Sequence, residues 1–179
     1  TAAAAIERYS DLAERAGPLR VDWLPAAHCA PGRVGLTLLP GRRDLGRELD
    51  TDLAALRSQG VDAVLCLLAD DEFAHYGVET LMQAYAQAGF DALHQPIVDG
   101  RVPAPAELDR ALAHIDHHVH AGRAVLIHCV GGLGRAGTVA AAWLKRRGLS
   151  TTDAIHTIRA TRSPRAIETA LQEAFLVGV

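Results

Sequence analysis

The spacing of apolar residues predicts a chain in which helices and short strands alternate. Apolar positions at helical intervals predict a first helix over residues 3–15, which the breaker pair Gly17-Pro18 ends. Two short apolar segments follow at residues 21–24 and 34–39, and the Pro and Gly residues around them favour two neighbouring antiparallel strands. The N-terminal part of the chain therefore predicts one helix and one strand pair.

From residue 50 onward the pattern is typical of an α/β protein. Residues 61–68 form a nearly unbroken apolar run, as expected for a strand buried on both faces of a sheet. Further strands are predicted at residues 92–98 and 124–128. Helices alternate with them at residues 50–60, 78–88, 105–120, 135–147, 151–160 and 167–176. We expect an α/β fold with a mostly parallel central sheet flanked by helices, in a single domain over residues 1–179 whose residues 1–20 form the N-terminal helix and lead-in.

Composition and charge narrow the class of protein. With 49% hydrophobic and 22% charged residues, the 179-residue chain resembles a globular domain rather than a disordered or fibrous one. The net charge of -3 argues against a general nucleic-acid binder, because such domains carry a strong basic excess. The longest uncharged apolar run, residues 136–144, is far below the roughly 20 residues that cross a bilayer, and from the opening residues we expect no secretory leader. We expect a cytoplasmic protein that binds neither nucleic acid nor membrane.

The cysteines raise the question of a reactive thiol. Three cysteines in a chain of this length argue against a disulfide framework. Cys66 lies within an apolar strand and is expected to be a packed core thiol, whereas Cys29, in a loop flanked by Pro and Gly, receives no role. Cys129 directly precedes a Gly-rich loop, and this position makes it the candidate reactive residue.

Residues 128–138 carry the main chemical signal, because they place Cys129, five further residues and Arg135 between a strand and a helix. A Walker phosphate loop is excluded, since no Gly-Lys pair followed by Ser or Thr is present. Three glycines match the dinucleotide-binding spacing, namely Gly132, Gly134 and Gly137. That match is weak evidence by itself, and it leaves Cys129 and Arg135 without a purpose.

The same loop has the features of an oxyanion cradle. Positive backbone φ angles would let successive N–H groups converge on one centre, and we expect them at Gly131, Gly132 and Gly134. The helix N-terminus adds its positive dipole end, and Arg135 offers a planar fork that suits two phosphate oxygens. This field favours the thiolate form of Cys129 and makes it a nucleophile. The alternative, a small buried thiol beside a tight turn, does not explain why Cys, three Gly and Arg occur together.

The motif His128-Cys-Val-Gly-Gly-Leu-Gly-Arg135 resembles the signature loop of the cysteine-dependent dual-specificity and tyrosine phosphatases, and most closely that of the kinase-associated phosphatases. Further segments resemble the same family in the same order and cover most of the chain: Trp23-Leu24, residues 34–41, residues 94–100, and Ala166-Ile-Glu-Thr169 with Gln172. The resemblance implies the cysteine-phosphatase fold and hydrolysis of phosphomonoesters without metal or cofactor.

The resemblance also implies roles for individual residues. Cys129 is the nucleophile, Arg135 binds phosphate, and Asp99, 30 residues before Cys129, is the general acid and base. His128 positions the loop, and Gln172 supports the water of the second step. Substrate phosphate is held by the loop itself, that is by Val130, Gly131, Gly132, Leu133, Gly134 and Arg135.

Two departures from the family pattern affect the second chemical step. Most relatives have Ser or Thr after the arginine, where this chain has Ala136, and Thr138 is two residues further on. The tail that often reads Ile-Gln-Thr reads Ile-Glu-Thr here, with Glu168 in the middle. We expect breakdown of the phosphoenzyme to be slower than its formation.

Several functions stay open at this stage. The leading one is a phosphatase for protein phosphotyrosine, with phosphoserine and phosphothreonine as further substrates. Alternatives are a phosphatase for phosphoinositides or small phosphate esters, a phosphate-binding module without turnover, and sulfur transfer, which would leave Arg135 and Asp99 without a purpose. The expected partner is a phosphorylated protein or peptide; the oligomeric state is open.

Other polar clusters were given a structural interpretation. Four histidines lie on the helix predicted at 105–120, but no Cys or carboxylate trio with structural spacing supports a metal site there, so we expect none: His114, His117, His118 and His120. Asp70-Asp71-Glu72 is interpreted as a helix cap. Two arginine clusters fit either a solvated surface or the lining of a cleft: Arg42, Arg43 and Arg47, and Arg159, Arg162 and Arg165.

Overall fold

The computed structural model describes residues 17–179, and their strands form one five-stranded sheet in the order β1-β2-β5-β3-β4. The strands are β1 (Asp22–Trp23), β2 (Arg33–Thr37), β3 (Ala63–Cys66), β4 (Asp91–His94) and β5 (Ala124–His128). β1 is antiparallel to β2, and every other neighbouring pair is parallel. The predicted α/β fold with a mostly parallel sheet is confirmed, and so is the antiparallel first pair.

Helices cover both faces of this sheet. In the described part of the chain they are α1 (Ala26–Cys29), α2 (Leu49–Ser58), α3 (Glu72–His75), α4 (Leu81–Gln87), α5 (Pro105–His120), α6 (Gly134–Arg146), α7 (Thr151–Thr161) and α8 (Ala170–Gly178). Helices α5 to α8 contribute to the core on one face, and α2 and α4 to the core on the other. The helix predicted over residues 3–15 lies outside the described residues. No helix within residues 17–179 combines the length and the apolar character needed to span a membrane.

The central strands are buried on both faces, which explains their apolar runs. In β5, Val125 and Ile127 belong to the core under α5 to α8, whereas Leu126 belongs to the core under α2 and α4. In β3, Leu65 and Cys66 likewise point to opposite faces, and both are fully buried. A strand with helices on each side can use an apolar side chain at every position.

Three element boundaries differ clearly from the prediction. β4 ends at His94 instead of residue 98, because the regular pairing with β3 stops there: Gln95 N–H donates to Cys66 O at 2.9 Å, but Ile97 N–H donates to Leu67 O at 3.2 Å, one residue short of the regular register. Helix α8 begins at Ala170 instead of residue 167, because Ile167 has a φ of 62° and Thr169 accepts a capping hydrogen bond from the Gln172 N–H at 3.1 Å. Helix α4 also begins later than predicted, at Leu81.

Candidate active site

The loop of residues 129–133 joins the carboxyl end of β5 to the N-terminus of α6. β5 lies between β2 and β3, so the loop sits at the centre of the sheet edge where parallel α/β proteins bind ligands. The strand, loop and helix predicted for this segment are confirmed.

Carbonyl groups of the loop accept hydrogen bonds from neighbouring segments, whereas the N–H groups of residues 130–134 have no partner within residues 17–179. Val130 O accepts the Leu39 N–H at 2.9 Å, and Leu133 O accepts the Ile167 N–H at 3.1 Å. The N–H groups of residues 130–134 donate to no group within residues 17–179. A row of free amides that ends at a helix N-terminus is an anion-binding arrangement.

Arg162 holds the middle of the loop. Its Nη2 donates to Gly131 O at 2.9 Å and its Nε to Gly132 O at 3.2 Å, while Nη1 pairs with Asp22 of β1 at 2.9 Å. Arg162 is buried. It therefore fits neither of the two interpretations, a solvated side chain or the lining of a cleft. Arg162 holds the loop through these two carbonyl oxygens. Because the N–H of a peptide points away from its carbonyl, the N–H groups are left to face the cradle.

The glycines act differently from the prediction. Only Gly132, of the three, has a positive φ, of 69°, and a Cβ there would lie 2.1 Å from Thr37 O. The expected positive φ at Gly131 and Gly134 is wrong. A Cβ at Gly134 would lie 2.4 Å from Glu168 Oε2, the end of a flexible side chain that would have to move aside.

Arg135 is buried, yet its guanidinium group is held in one orientation. Nη1 donates to Glu72 Oε2 at 2.6 Å and to Ile97 O at 2.8 Å, and Nη2 donates to Glu72 Oε1 at 2.9 Å. Nε is buried and has no hydrogen-bond partner in the described part of the chain. Burial opposes the charge, but the hydrogen bond with Glu72 and the electrostatic interactions with Cys129, Glu72 and Asp99 raise the pKa of Arg135. The side chain therefore offers a charged group with two N–H bonds not used in these contacts, that of Nε and the second of Nη2.

Glu72 is a site residue that the sequence interpretation missed. It was interpreted as part of a helix cap, and one oxygen does accept the Ala69 N–H at 2.8 Å. Both carboxylate oxygens, however, bind Arg135. The signal available in the sequence was an acid just after a buried strand, but only the strand order shows that β3 adjoins β5.

His128 is fully buried and lies between two hydrogen bonds. Its Nδ1 donates to Cys129 O at 3.0 Å, and its Nε2 accepts from the Tyr85 hydroxyl at 2.8 Å. Burial lowers the pKa of His128 to about 4, and the Arg135 charge acts in the same direction. A neutral imidazole in this position can orient the loop backbone but cannot attack a substrate. Tyr85, on α4, carried no signal in the sequence for this contact.

Asp99 stands at the rim of the cradle. Its carboxylate is 76% exposed and lies 3.4 Å from Arg135 Nη2. Two contacts hold the following backbone, from the Thr169 hydroxyl to Gly100 O at 3.2 Å and from Gln172 Nε2 to Arg101 O at 3.3 Å. The structure thus brings Asp99, which follows the carboxyl end of β4, close to Arg135 and the loop.

Polar residues near Ala136 and Glu168, the two departures from the family pattern, make hydrogen bonds with the backbone. The Thr138 hydroxyl donates to Gly134 O at 2.7 Å, and Ala136 is fully buried. Gln172 Oε1 accepts the N–H groups of Glu168 and Thr169 at 2.9 and 3.2 Å. Burial, followed by the Asp99 charge, raises the pKa of Glu168.

The three cysteines differ in their surroundings. Burial raises the pKa of Cys66 to about 12 and also raises that of Cys29, so both thiols are protonated and packed. The predicted core position of Cys66 is confirmed. Cys129 is free and 3% exposed at the base of the cradle.

The chain matches the family model described as cyclin-dependent kinase inhibitor 3 (CDKN3) over residues 6–158. The chain belongs to the CDKN3 family. The cyclin-dependent kinase inhibitor 3 of Sus scrofa is 33% identical over 164 residues, which cover 89% of this chain and 77% of the relative. The resemblance seen in the sequence is confirmed.

Solved structures agree with membership of the CDKN3 family. A crystal structure of kinase associated phosphatase, with its catalytic site cysteine substituted by serine, has a TM-score of 0.84 and 31% identity, covering 89% of this chain and 93% of that one. A structure of Tk-PTP in the active form has a TM-score of 0.67 and 35% identity, covering 82% of this chain and 90% of that one. The cysteine-phosphatase fold is confirmed, and the phosphatases are the enzyme class that the comparisons support.

Proposed function

We propose that this chain is a cytoplasmic cysteine-dependent phosphatase that hydrolyses phosphotyrosine, and also phosphoserine and phosphothreonine, in proteins. Cys129 is the nucleophile, Arg135 binds the phosphate and Asp99 is the general acid and base. The observation that carries this proposal is the row of free amides at residues 130–134 next to the unused Nε of Arg135. Such donors fit the oxygens of a tetrahedral dianion and the charge that develops during its transfer.

In the first step the Cys129 thiolate attacks phosphorus. An S–P bond forms, and the P–O bond to the substrate side chain breaks. Asp99, in its acid form, gives its proton to the departing oxygen, for which its exposed position at the rim is suitable. The loop amides and Arg135 hold the three equatorial oxygens throughout.

In the second step water attacks the phosphocysteine. Asp99, now a carboxylate, takes a proton from the water, a new O–P bond forms and the S–P bond breaks. Inorganic phosphate leaves, and the Cys129 thiolate and the protonated Asp99 are restored. Every proton and electron pair in this cycle is supplied by the substrate, water and these side chains.

Hydrolysis of a small aryl phosphate tests the enzyme. We expect activity in the wild type, loss by at least about 1000-fold in Cys129→Ser, and near-full activity in Cys29→Ser, whose thiol is buried elsewhere. A folded wild-type protein without activity between about pH 5 and pH 8 would falsify the proposal.

A protein substrate is favoured by the position of the acid. Asp99 and its neighbour Val98 are exposed at the rim, with Val98 64% exposed, so the site opens to a surface that a polypeptide can contact. The relatives are named after kinases, which fits a phosphorylated protein as substrate.

Substrate trapping distinguishes the substrate classes. The Asp99→Ala variant is expected to retain phosphotyrosine peptides, because the thiolate and the cradle remain while the leaving group loses its proton donor. Vesicles that contain a phosphoinositide serve as the competing ligand. If the variant retained the vesicles in preference to the peptides, the substrate would be a lipid and not a protein.

The second candidate is a phosphate-binding module with little turnover. Ala136 supports it, because this chain lacks a hydroxyl there and the Thr138 hydroxyl is already bound to Gly134 O. Pre-steady-state kinetics separate the two. We expect a burst of about one phenolate per enzyme followed by slow turnover, and a faster second phase in Ala136→Ser. A linear time course limited by substrate cleavage would contradict a slow second step.

A further inference from the structure

Two histidines of α5 and the first residue of β4 form a cluster that the proposed reaction does not use. His114 and His118 are four residues apart on α5, with ring centroids 4.8 Å apart. One ligand atom each from Asp91, His114 and His118 lies within 4.8 Å of the other two. His118 Nε2 is 3.2 Å from Asp91 Oδ2.

The buried histidine of this cluster lacks hydrogen bonds. His118 is 0% exposed, and neither of its ring nitrogens makes a hydrogen bond within residues 17–179. A buried polar side chain without such a partner is costly and rare in folded proteins. Its surroundings therefore suggest a missing ligand.

The second histidine is already oriented for a ligand. His114 Nε2 lies 3.2 Å from Val64 O and donates its proton to it, which leaves the lone pair on Nδ1 available. A carbonyl bonded to one ring nitrogen is the usual way in which a metal-binding histidine is held.

We propose that Asp91, His114 and His118 bind one divalent transition-metal ion, with Zn²⁺ as the preferred ion. Two histidines at i and i+4 on a helix, joined by one carboxylate, are a zinc ligand set, and water completes four-coordination. Metal–ligand bonds of about 2 Å require the three atoms to approach closer than they lie here. Asp91 can make this movement, because its side chain is 59% exposed.

The sequence predicted no metal site because no Cys or carboxylate trio with structural spacing accompanies these histidines. Asp91 comes from β4, a separate element that the helical spacing does not reveal.

The site is structural in character. Asp91 begins β4, whereas Cys129 follows the end of β5, and these strands run in the same direction through β3. The ion therefore lies at the end of the sheet opposite the cradle and joins the edge strand β4 to α5. It is expected to stabilise the fold without taking part in phosphate transfer.

Zinc binding to the untagged, chelator-treated full chain tests this site. Titration calorimetry with Zn²⁺ is expected to give about one ion per chain. Asp91→Asn and His114→Gln are each expected to weaken binding at least about tenfold, while His120→Gln, on the same helix, leaves it unchanged. Co²⁺ in place of Zn²⁺ is expected to show the visible absorption of a tetrahedral site in wild type and in His120→Gln, but not in Asp91→Asn or His114→Gln.

Cys129 is the competing zinc ligand, so the titration is repeated in Cys129→Ser. Retained binding there supports the site, and loss of binding there overturns it. Equal affinity in wild type, Asp91→Asn and His114→Gln also overturns it and indicates an adventitious ion only. Because no activity is measured, the outcome is independent of the proposed phosphatase reaction.

Discussion

Arg135 keeps its charge in a buried position because Glu72 accepts two hydrogen bonds from it. The paired carboxylate also sets which nitrogens of the fork are used, so that Nε remains for a ligand. A bidentate pair of this kind gives orientation as well as energy. At the scale of single residues, the phosphate-binding capacity of Arg135 thus depends on an acid 63 positions earlier in the chain.

Glu72→Gln is expected to lower kcat/KM for an aryl phosphate by about 100-fold. The amide cannot accept from both guanidinium nitrogens, and the loss of one member of a buried pair costs about 3 kcal/mol. Steady-state kinetics measure the effect, with Glu79→Gln as the exposed control from the same segment. An equal, small effect in both variants would show that Glu72 does not orient Arg135.

His128 makes stability depend on pH. Its pKa is about 4 in the folded chain, and near 6.5 for an unperturbed imidazole. Because the unfolded chain takes up the proton first, stability is complete above about pH 6.5 and is lost as the pH falls toward 4.

We expect this residue to lower the free energy of unfolding by about 2 kcal/mol between about pH 7 and pH 5. Urea unfolding at the two pH values measures it, with His128→Gln as reference because the other histidines remain. A pH dependence that is the same in wild type and His128→Gln would contradict a buried neutral imidazole.

At the scale of elements, the loop between β5 and α6 is positioned from several directions. The N–H of Leu39, just after β2, and the N–H of Ile167, just before α8, bind carbonyls at its two ends, and Arg162 binds those in the middle. Gly132 is the point where the loop passes closest to another element, since Thr37 of β2 leaves no room for a Cβ. The fold of the loop is thus decided by its neighbours as much as by its own residues.

Gly132→Ala is expected to destabilise the protein by at least about 2 kcal/mol, because both the φ of 69° and the contact with Thr37 O oppose a side chain. Gly131→Ala is the matched control. Its φ is not positive, and its Cβ would make only an ordinary contact with the Leu133 side chain at 3.7 Å, so we expect a loss below about 0.5 kcal/mol. Denaturant unfolding compares the two; equal losses would contradict the close approach at Gly132.

At the scale of the whole molecule, the strand order gathers the candidate site at one end of the sheet. Glu72 follows β3, Asp99 follows β4 and Cys129 follows β5, and these three strands are neighbours. Parallel strands bring such distant segments together at their carboxyl ends. The proposed zinc ligands lie at the other end, separated by the length of the strands.

Sulfate and Zn²⁺ are therefore expected to raise the melting temperature additively. Sulfate is a tetrahedral dianion that fits the cradle, and two ligands bound at separate sites contribute independent terms to stability. Thermal unfolding with each ligand and with both measures this, with chloride at the same ionic strength as control. Arg135→Ala is expected to remove only the sulfate effect and Asp91→Asn only the Zn²⁺ effect; a combined shift smaller than the sum would show that the sites interact.

Much of this architecture is local in origin and was therefore predictable. Residues 124–138 carry strand, loop, Gly and Arg in sequence, so β5, the loop and the start of α6 followed from spacing alone. Glu72, Tyr85 and Arg162 were not predictable in the same way, because each reaches the loop through contacts that depend on strand order and helix packing. For the same reason the Asp91 contact with His118 left no trace in the helical pattern.

Arg162 also connects the loop to Asp22, whose neighbour is Trp23. The Trp23 ring is half-buried and has the Arg33 guanidinium 4.1 Å from its centroid, so its emission depends on the local arrangement of β1 and β2. The chain has two tryptophans, and replacing Trp143 by Phe leaves Trp23 as the only one. We expect any shift of the loop on anion binding to reach β1 through Arg162, and the fluorescence of Trp23 in Trp143→Phe measures it.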